Sequence, residues 1–105
     1  PVVIGNPDHV EVRGLVGDLP EYAVIRAPED LPQLAGHPRL GVVSQTTQPL
    51  TFVLDLVDQI RVAFPDAEVR FADTVCQPTK ERQLAARRLG ASCDVVVVVG
   101  GWTSN

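Results

Sequence analysis

The chain is poor in the residues that mark several large protein classes. It has two cysteines, Cys76 and Cys93, too few for a disulfide framework, so a reducing compartment is the default. Lysine and arginine number 9 against 13 aspartates and glutamates, a net charge of −4, with no basic stripe. Nucleic-acid binding draws no support from that balance. The longest apolar run, Val95 to Val99, falls far short of the roughly 20 residues a membrane helix needs, so no membrane association is expected. No charged-then-apolar leader precedes the first apolar segment, and a cytoplasmic location is the expectation. Internal repeats, low-complexity tracts and linkers are also missing. What remains, 105 residues of which 45% are hydrophobic, suffices for one α/β domain with a modest core.

Five apolar segments read as strands: Val2–Ile4, Tyr22–Ile25, Leu40–Ser44, Glu68–Phe71 and Asp94–Val99. The last is a nearly continuous valine run, as expected for a strand buried on both faces of a parallel sheet. Helix signals alternate with them. Pro28-Glu29-Asp30-Leu31 opens a short helix with acidic residues in its first turn. Pro49 suits the first turn of a longer one, whose Val53, Leu56, Val57, Ile60, Ala63 and Phe64 follow helical spacing until Pro65 ends it. A third helix starts near Pro78 or Thr79, turns Leu84, Ala85 and Leu89 inward, and stops at Gly90. Asn6 to Pro20, rich in Gly, Pro and Asp, reads as loop with one helical turn. The pattern predicts a three-layer α/β sandwich: a mainly parallel sheet of four to five strands with right-handed βαβ crossovers. Pro1 already lies within a strand pattern, and Asn105 falls where a loop would turn into a helix. A domain from the middle of a longer protein is the expectation.

In such a sheet the carboxyl ends of the strands share one edge, and ligands bind there. Four polar clusters fall on that edge. Cys76 follows a strand and precedes a helix, where unpaired N–H groups and the helix dipole favour a thiolate, the form needed for a nucleophile or a metal ligand. A buried packing cysteine is the competing reading. Cys93 precedes its strand, so it belongs to the opposite edge and reads as structural; a disulfide to Cys76 is not expected. Arg82 completes Cys76-x5-Arg82, the spacing of cysteine phosphatases, but the intervening loop has no glycine and Gln83 stands where a hydroxyl residue usually follows. His9 and Glu11 suit phosphate binding and proton transfer. Gln45-Thr46-Thr47 offers hydroxyls, one of which reads as a cap for the helix at Pro49. Gly100-Gly101-Trp102-Thr103-Ser104-Asn105 is a turn able to present N–H and hydroxyl groups to an anion.

Together these clusters resemble the 4-hydroxy-3-methylbut-2-enyl diphosphate reductase family, also called LytB or IspH. The resemblance runs in order along nearly the whole chain: His9-x-Glu11-Val12-x-Gly14, then Ser44-Gln45-Thr46-Thr47 before a long helix, then Cys76 with Thr79 and Arg82-Gln83, then Gly-Gly-x-x-Ser104-Asn105. The chain departs from the family pattern at Asn6 and near Trp102-Thr103. The resemblance implies a cytoplasmic oxidoreductase of the non-mevalonate isoprenoid pathway. Such enzymes reductively remove a hydroxyl from an allylic diphosphate, with electrons from a ferredoxin or flavodoxin. It further implies a 4Fe-4S iron–sulfur cluster held by three cysteines, of which Cys76 resembles the third. The other two, and a further lobe, would lie outside this chain, the central of three similar lobes, so the chain alone would hold no cluster. Glu11 resembles the proton-relaying acid, Thr46 its assisting hydroxyl, and His9, Thr47, Thr79, Ser104 and Asn105 the diphosphate contacts. A cysteine phosphatase using Cys76 and Arg82, and a non-catalytic α/β module, are the alternatives.

Overall fold

Val2, Val3 and Ile4 are all buried, as befits a strand covered on both faces. They form β1 (Val2–Ile4), one of two inner members of a four-stranded parallel sheet in a computed structural model that describes residues 1–101. The other strands are β2 (Ala23–Ile25), β3 (Arg39–Ser44) and β4 (Glu68–Phe71), in the order β2-β1-β3-β4. Val3 registers with Val24 on one side and with Val43 on the other. Helix α1 (Val10–Val16) links β1 to β2, a 3-10 helix (Pro28–Leu34) links β2 to β3, and α2 (Leu50–Ala63) links β3 to β4.

Helices cover both faces, as the three-layer expectation requires. On one, α2 buries Val53, Leu56, Val57 and Ile60, a helical stripe, against Ile4, Ile25, Leu40 and Val42, with Leu34 of the 3-10 helix beside them. On the other, α1 packs Val12 and Val16 against Val3. The chain leaves β1 toward β2 on one side and β3 toward β4 on the other, so the strand order reverses between β1 and β3. Such a reversal leaves a crevice at the carboxyl ends of those strands.

Four expectations are corrected. The segment after Asn6 is not loop with one turn, because Val10–Val16 is helical over seven residues, its i, i+4 pair Val12 and Val16 anchoring it to the sheet. Helix α3 (Gln77–Ser92) runs past Gly90 and buries nothing; Leu84 and Leu89 are half exposed. Its Lys80, Glu81, Arg82, Arg87 and Arg88 leave no apolar stripe wide enough to pack on a sheet. Because α3 does not fold back along β4, the Asp94–Val99 segment forms no fifth strand, and Val99 is 92% exposed. Cys93 caps the end of α3 and is exposed, so it is not a packing residue either.

Candidate active site

The crevice between β1 and β3 is built by backbone before any reactive side chain enters it. Gln45 N–H donates to Ile4 O at 2.9 Å, carrying the ladder one step beyond β3. The Gln45 side chain is fully buried, and its Oε1 accepts from Asn6 N–H at 3.1 Å while Nε2 donates to Thr47 Oγ1 at 3.1 Å. Gly5 makes this approach possible: a Cβ there would stand 2.9 Å from both Gln45 Cβ and Val12 Cγ2. Gln45 is a component that sequence reasoning passed over, its flanking hydroxyls having drawn the attention.

His9 is the N-cap of α1, and its Nδ1 accepts from Glu11 N–H at 3.2 Å. An accepting Nδ1 is unprotonated, so the ring carries its proton on Nε2 as a donor. Glu11, in the first turn, accepts the Thr46 N–H on Oε1 at 2.8 Å. The Thr46 carbonyl in turn accepts Cys76 N–H at 3.0 Å. Thr46 is therefore the residue on which the segments after β1, β3 and β4 converge. Thr74 braces the third segment: its hydroxyl accepts from Ser44 N–H at 2.8 Å and donates to Ser44 O at 2.6 Å. Lys80 pairs with Asp73 at 2.6 Å across the same turn.

Cys76 is half-buried as N-cap of α3, with Sγ 3.0 Å from Thr79 Oγ1. Hydrogen bonds from the Thr79 hydroxyl and backbone N–H pull its thiol pKa below the ordinary value. Partial burial opposes this, the Arg82 charge assists it, and the Glu11 charge resists it. A thiol held this way is a soft donor with thiolate character, which suits iron or another thiophilic metal. Among the described residues no group of three His, Cys, Asp or Glu side chains can hold a metal ion. Cys76 thus fits as one ligand of a cluster and cannot by itself hold one.

The structure brings together Glu11, Thr46, Cys76 and Thr79, with His9 and Thr47 flanking them. Ser104 and Asn105 lie outside the described residues. The expected capping of α2 by Thr46 or Thr47 does not occur, since the N-cap is Pro49 without a side-chain bond. The phosphatase arrangement is not formed: residues 77–82 are the first turns of α3, so no loop of N–H groups wraps the thiol. A concavity of about 480 Å³ near Tyr22, His37 and Arg39 opens at the opposite edge and contains none of these groups.

The LytB protein family model matches residues 1–105, the whole sequence. The chain belongs to the LytB family. Relatives named 4-hydroxy-3-methylbut-2-enyl diphosphate reductase include one from Dehalococcoides mccartyi strain BAV1, 37% identical over 98% of this chain and 38% of its own length. The one from Photobacterium profundum is 35% identical over 99% of this chain and 35% of its own length, and that from Aquifex aeolicus 34% over 98% and 36%. A solved structure of (E)-4-hydroxy-3-methyl-but-2-enyl diphosphate reductase, described as the terminal enzyme of the non-mevalonate pathway, aligns with a TM-score of 0.69 at 34% identity, covering 98% of this chain and 37% of that one. This LytB chain thus spans little more than a third of the length of the relatives it matches. No helix among its described residues is long and apolar enough to cross a membrane.

Proposed function

We propose that this chain is the central lobe of a 4-hydroxy-3-methylbut-2-enyl diphosphate reductase and supplies part of its catalytic centre. The observation that carries the reading is the convergence of Glu11 and Cys76 on Thr46, at the strand-order reversal of the sheet. Cys76 would be one thiolate ligand of a 4Fe-4S iron–sulfur cluster, the remaining cysteines coming from sequence outside this chain. When bound, the cluster supplies the electrons for the reduction, delivered to it by a ferredoxin or flavodoxin.

The balance of the reaction is the allylic alcohol plus two electrons and two protons, giving the dehydroxylated diphosphate and water. The C–O bond breaks and its oxygen leaves with one proton as water, while the two electrons and the second proton form a C–H bond on the allyl group. Glu11 is the donor of the first proton. Its Oε1 is already occupied as acceptor of the Thr46 N–H, which leaves Oε2 to carry the proton in the acid form. Thr46, whose backbone N–H holds this carboxyl, would use its hydroxyl, free of hydrogen-bond partners among the described residues, to orient the departing oxygen. For the diphosphate, His9 offers its Nε2–H, and Thr47, Ser104 and Asn105 add neutral donors; Thr79, whose hydroxyl faces the Cys76 sulfur, would join them once that sulfur is held as a cluster ligand. A net charge of −4 makes local donors and helix N-termini, not a general positive field, the means of holding an anion. The family relationship supports a cytoplasmic place for this activity.

The test is anaerobic turnover of the hydroxylated allylic diphosphate by the complete reductase chain, with and without Cys76→Ser, with iron quantified in both. Joint loss of turnover and cluster in C76S is the expected result. A complete chain that is free of iron, or loaded but inert toward this substrate, would overturn the reading.

A further inference from the structure

Helix α2 begins after Pro49, which has no N–H and no capping side chain, so Leu50 N–H needs a partner from elsewhere. It finds one 33 residues downstream, in the Oε1 of Gln83 at 3.1 Å. The same carboxamide donates from Nε2 to Gln48 O at 3.1 Å. Both ends of one side chain are thus spent on the segment that follows Thr46-Thr47. Gln83 lies in the second turn of α3, whose first turn carries Thr79 and whose N-cap is Cys76. Because α3 has no buried residue, polar ties hold it to the body: Cys76 N–H to Thr46 O, Gln83 to α2, and Arg87 to Thr51 Oγ1 at 3.0 Å. Gln83 is the tie that makes two bonds and is partly sheltered from water.

We propose that Gln83 is a positioning residue that sets the Cys76–Thr79 turn against the Thr46–Thr47 loop by capping α2 from α3. It touches no reacting atom. Its cap also explains why neither threonine hydroxyl is spent on α2: the helix N-terminus is already served. The turnover arm of the test rests on the reductase reading above; the thiol arm does not.

In the complete chain, stripped of metal and held under argon, the alkylation rate of Cys76 is followed by peptide mass spectrometry for wild type, Gln83→Met and Gln83→Glu. Met matches the length of Gln without either polar atom; Glu keeps the acceptor for Leu50 N–H and loses the donor. Losing the tie frees α3 and exposes the thiol, so Q83M should alkylate several-fold faster, and Q83E should recover most of the difference. In the cluster-loaded enzyme Q83M should lower kcat by about tenfold or more while KM moves little, since displacement of a positioned group acts on the reacting geometry. A folded Q83M with wild-type alkylation, or a Q83E no better than Q83M, overturns the proposal. Should Q83M fail to fold, as far-UV circular dichroism would reveal, Gln83→Asn replaces it with the same two readings. Absence of turnover in the wild-type enzyme would sink the reductase reading while leaving the alkylation comparison to decide the role of Gln83.

Discussion

Glu11 Oε1 accepts the Thr46 backbone N–H at 2.8 Å, a bond between residues 35 apart in sequence. It runs from the first turn of a helix on one face of the sheet to the end of the strand where the order reverses. One carboxyl oxygen is thereby fixed by the fold, and the other is left for chemistry. Since the carbonyl of the same threonine accepts Cys76 N–H, a shift of Thr46 moves carboxyl and thiol together.

Replacing Glu11 separates its anchoring from its proton transfer. Glu11→Gln keeps an oxygen that accepts the Thr46 N–H, and should fold as wild type while losing activity in the complete enzyme by roughly 10²–10⁴-fold, the usual contribution of a positioned acid. Glu11→Ala also strands the amide, and should lower stability by about 1–3 kcal/mol. Urea melts of the two variants beside wild type check this; equal stability would show that the bond anchors nothing.

Cys76 should react with iodoacetamide through its thiolate at a lower pH than a free cysteine, because Thr79 favours the charged form. The sign follows directly: a lowered pKa keeps the thiolate populated as pH falls, and removing the hydroxyl raises the midpoint toward the ordinary value. Thr79→Val is therefore expected to move the alkylation midpoint up, with Thr79→Ser close to wild type. A midpoint unmoved in Thr79→Val would remove the hydroxyl from the account.

Gly5→Ala should destabilise by overpacking, by about 1–3 kcal/mol. The added methyl would meet Gln45 Cβ and Val12 Cγ2 at 2.9 Å, one from each side of the crevice. Neither neighbour is the free end of a flexible side chain. Thermal denaturation of the variant measures the effect, and an unchanged melting temperature would contradict the crowding.

On α2, Leu56→Ala empties a fully buried site and should cost about 2–5 kcal/mol. Val62→Ala, on the same helix at 82% exposure, should stay within about 0.5 kcal/mol of wild type. Denaturant midpoints for the pair test which face of α2 carries the core.

Much of the sheet was legible from apolar patterning. Val2–Ile4 and Glu68–Phe71 match the observed strands end to end, and Ala23–Ile25 and Arg39–Ser44 differ from expectation by one residue. The four-residue stripe of α2 was equally readable, since it buries against a single surface. Less legible were the elements whose state depends on a distant partner. The Pro, Asp and Gly around α1 suggest loop, and only the seat that Val3 offers to Val12 and Val16 makes the helix pay its way. A valine run promises a strand, yet Asp94–Val99 pairs with nothing in the sheet, because pairing needs an edge brought alongside and α3 does not bring one. At the site, Glu11, Thr46 and Cys76 were identifiable as residue types suited to chemistry. Gln45, Gln83 and Thr74 were not identifiable as braces, since a neutral side chain shows its role only through the backbone atoms it reaches.

Sequence by itself determined the fold class and the family of this chain, because hydrophobic period and motif order are local properties written along the backbone. It also determined which residues carry reactive groups. Tertiary structure alone decided that Thr46 is the meeting point of three segments, that α2 is capped from α3, and that the thiol of Cys76 is held by Thr79 beside the Glu11 carboxyl. Apart from the local Thr79 contact, those relations join residues about thirty or more positions apart, and hydrogen bonds of that span exist only once the sheet has brought the strand ends to one edge.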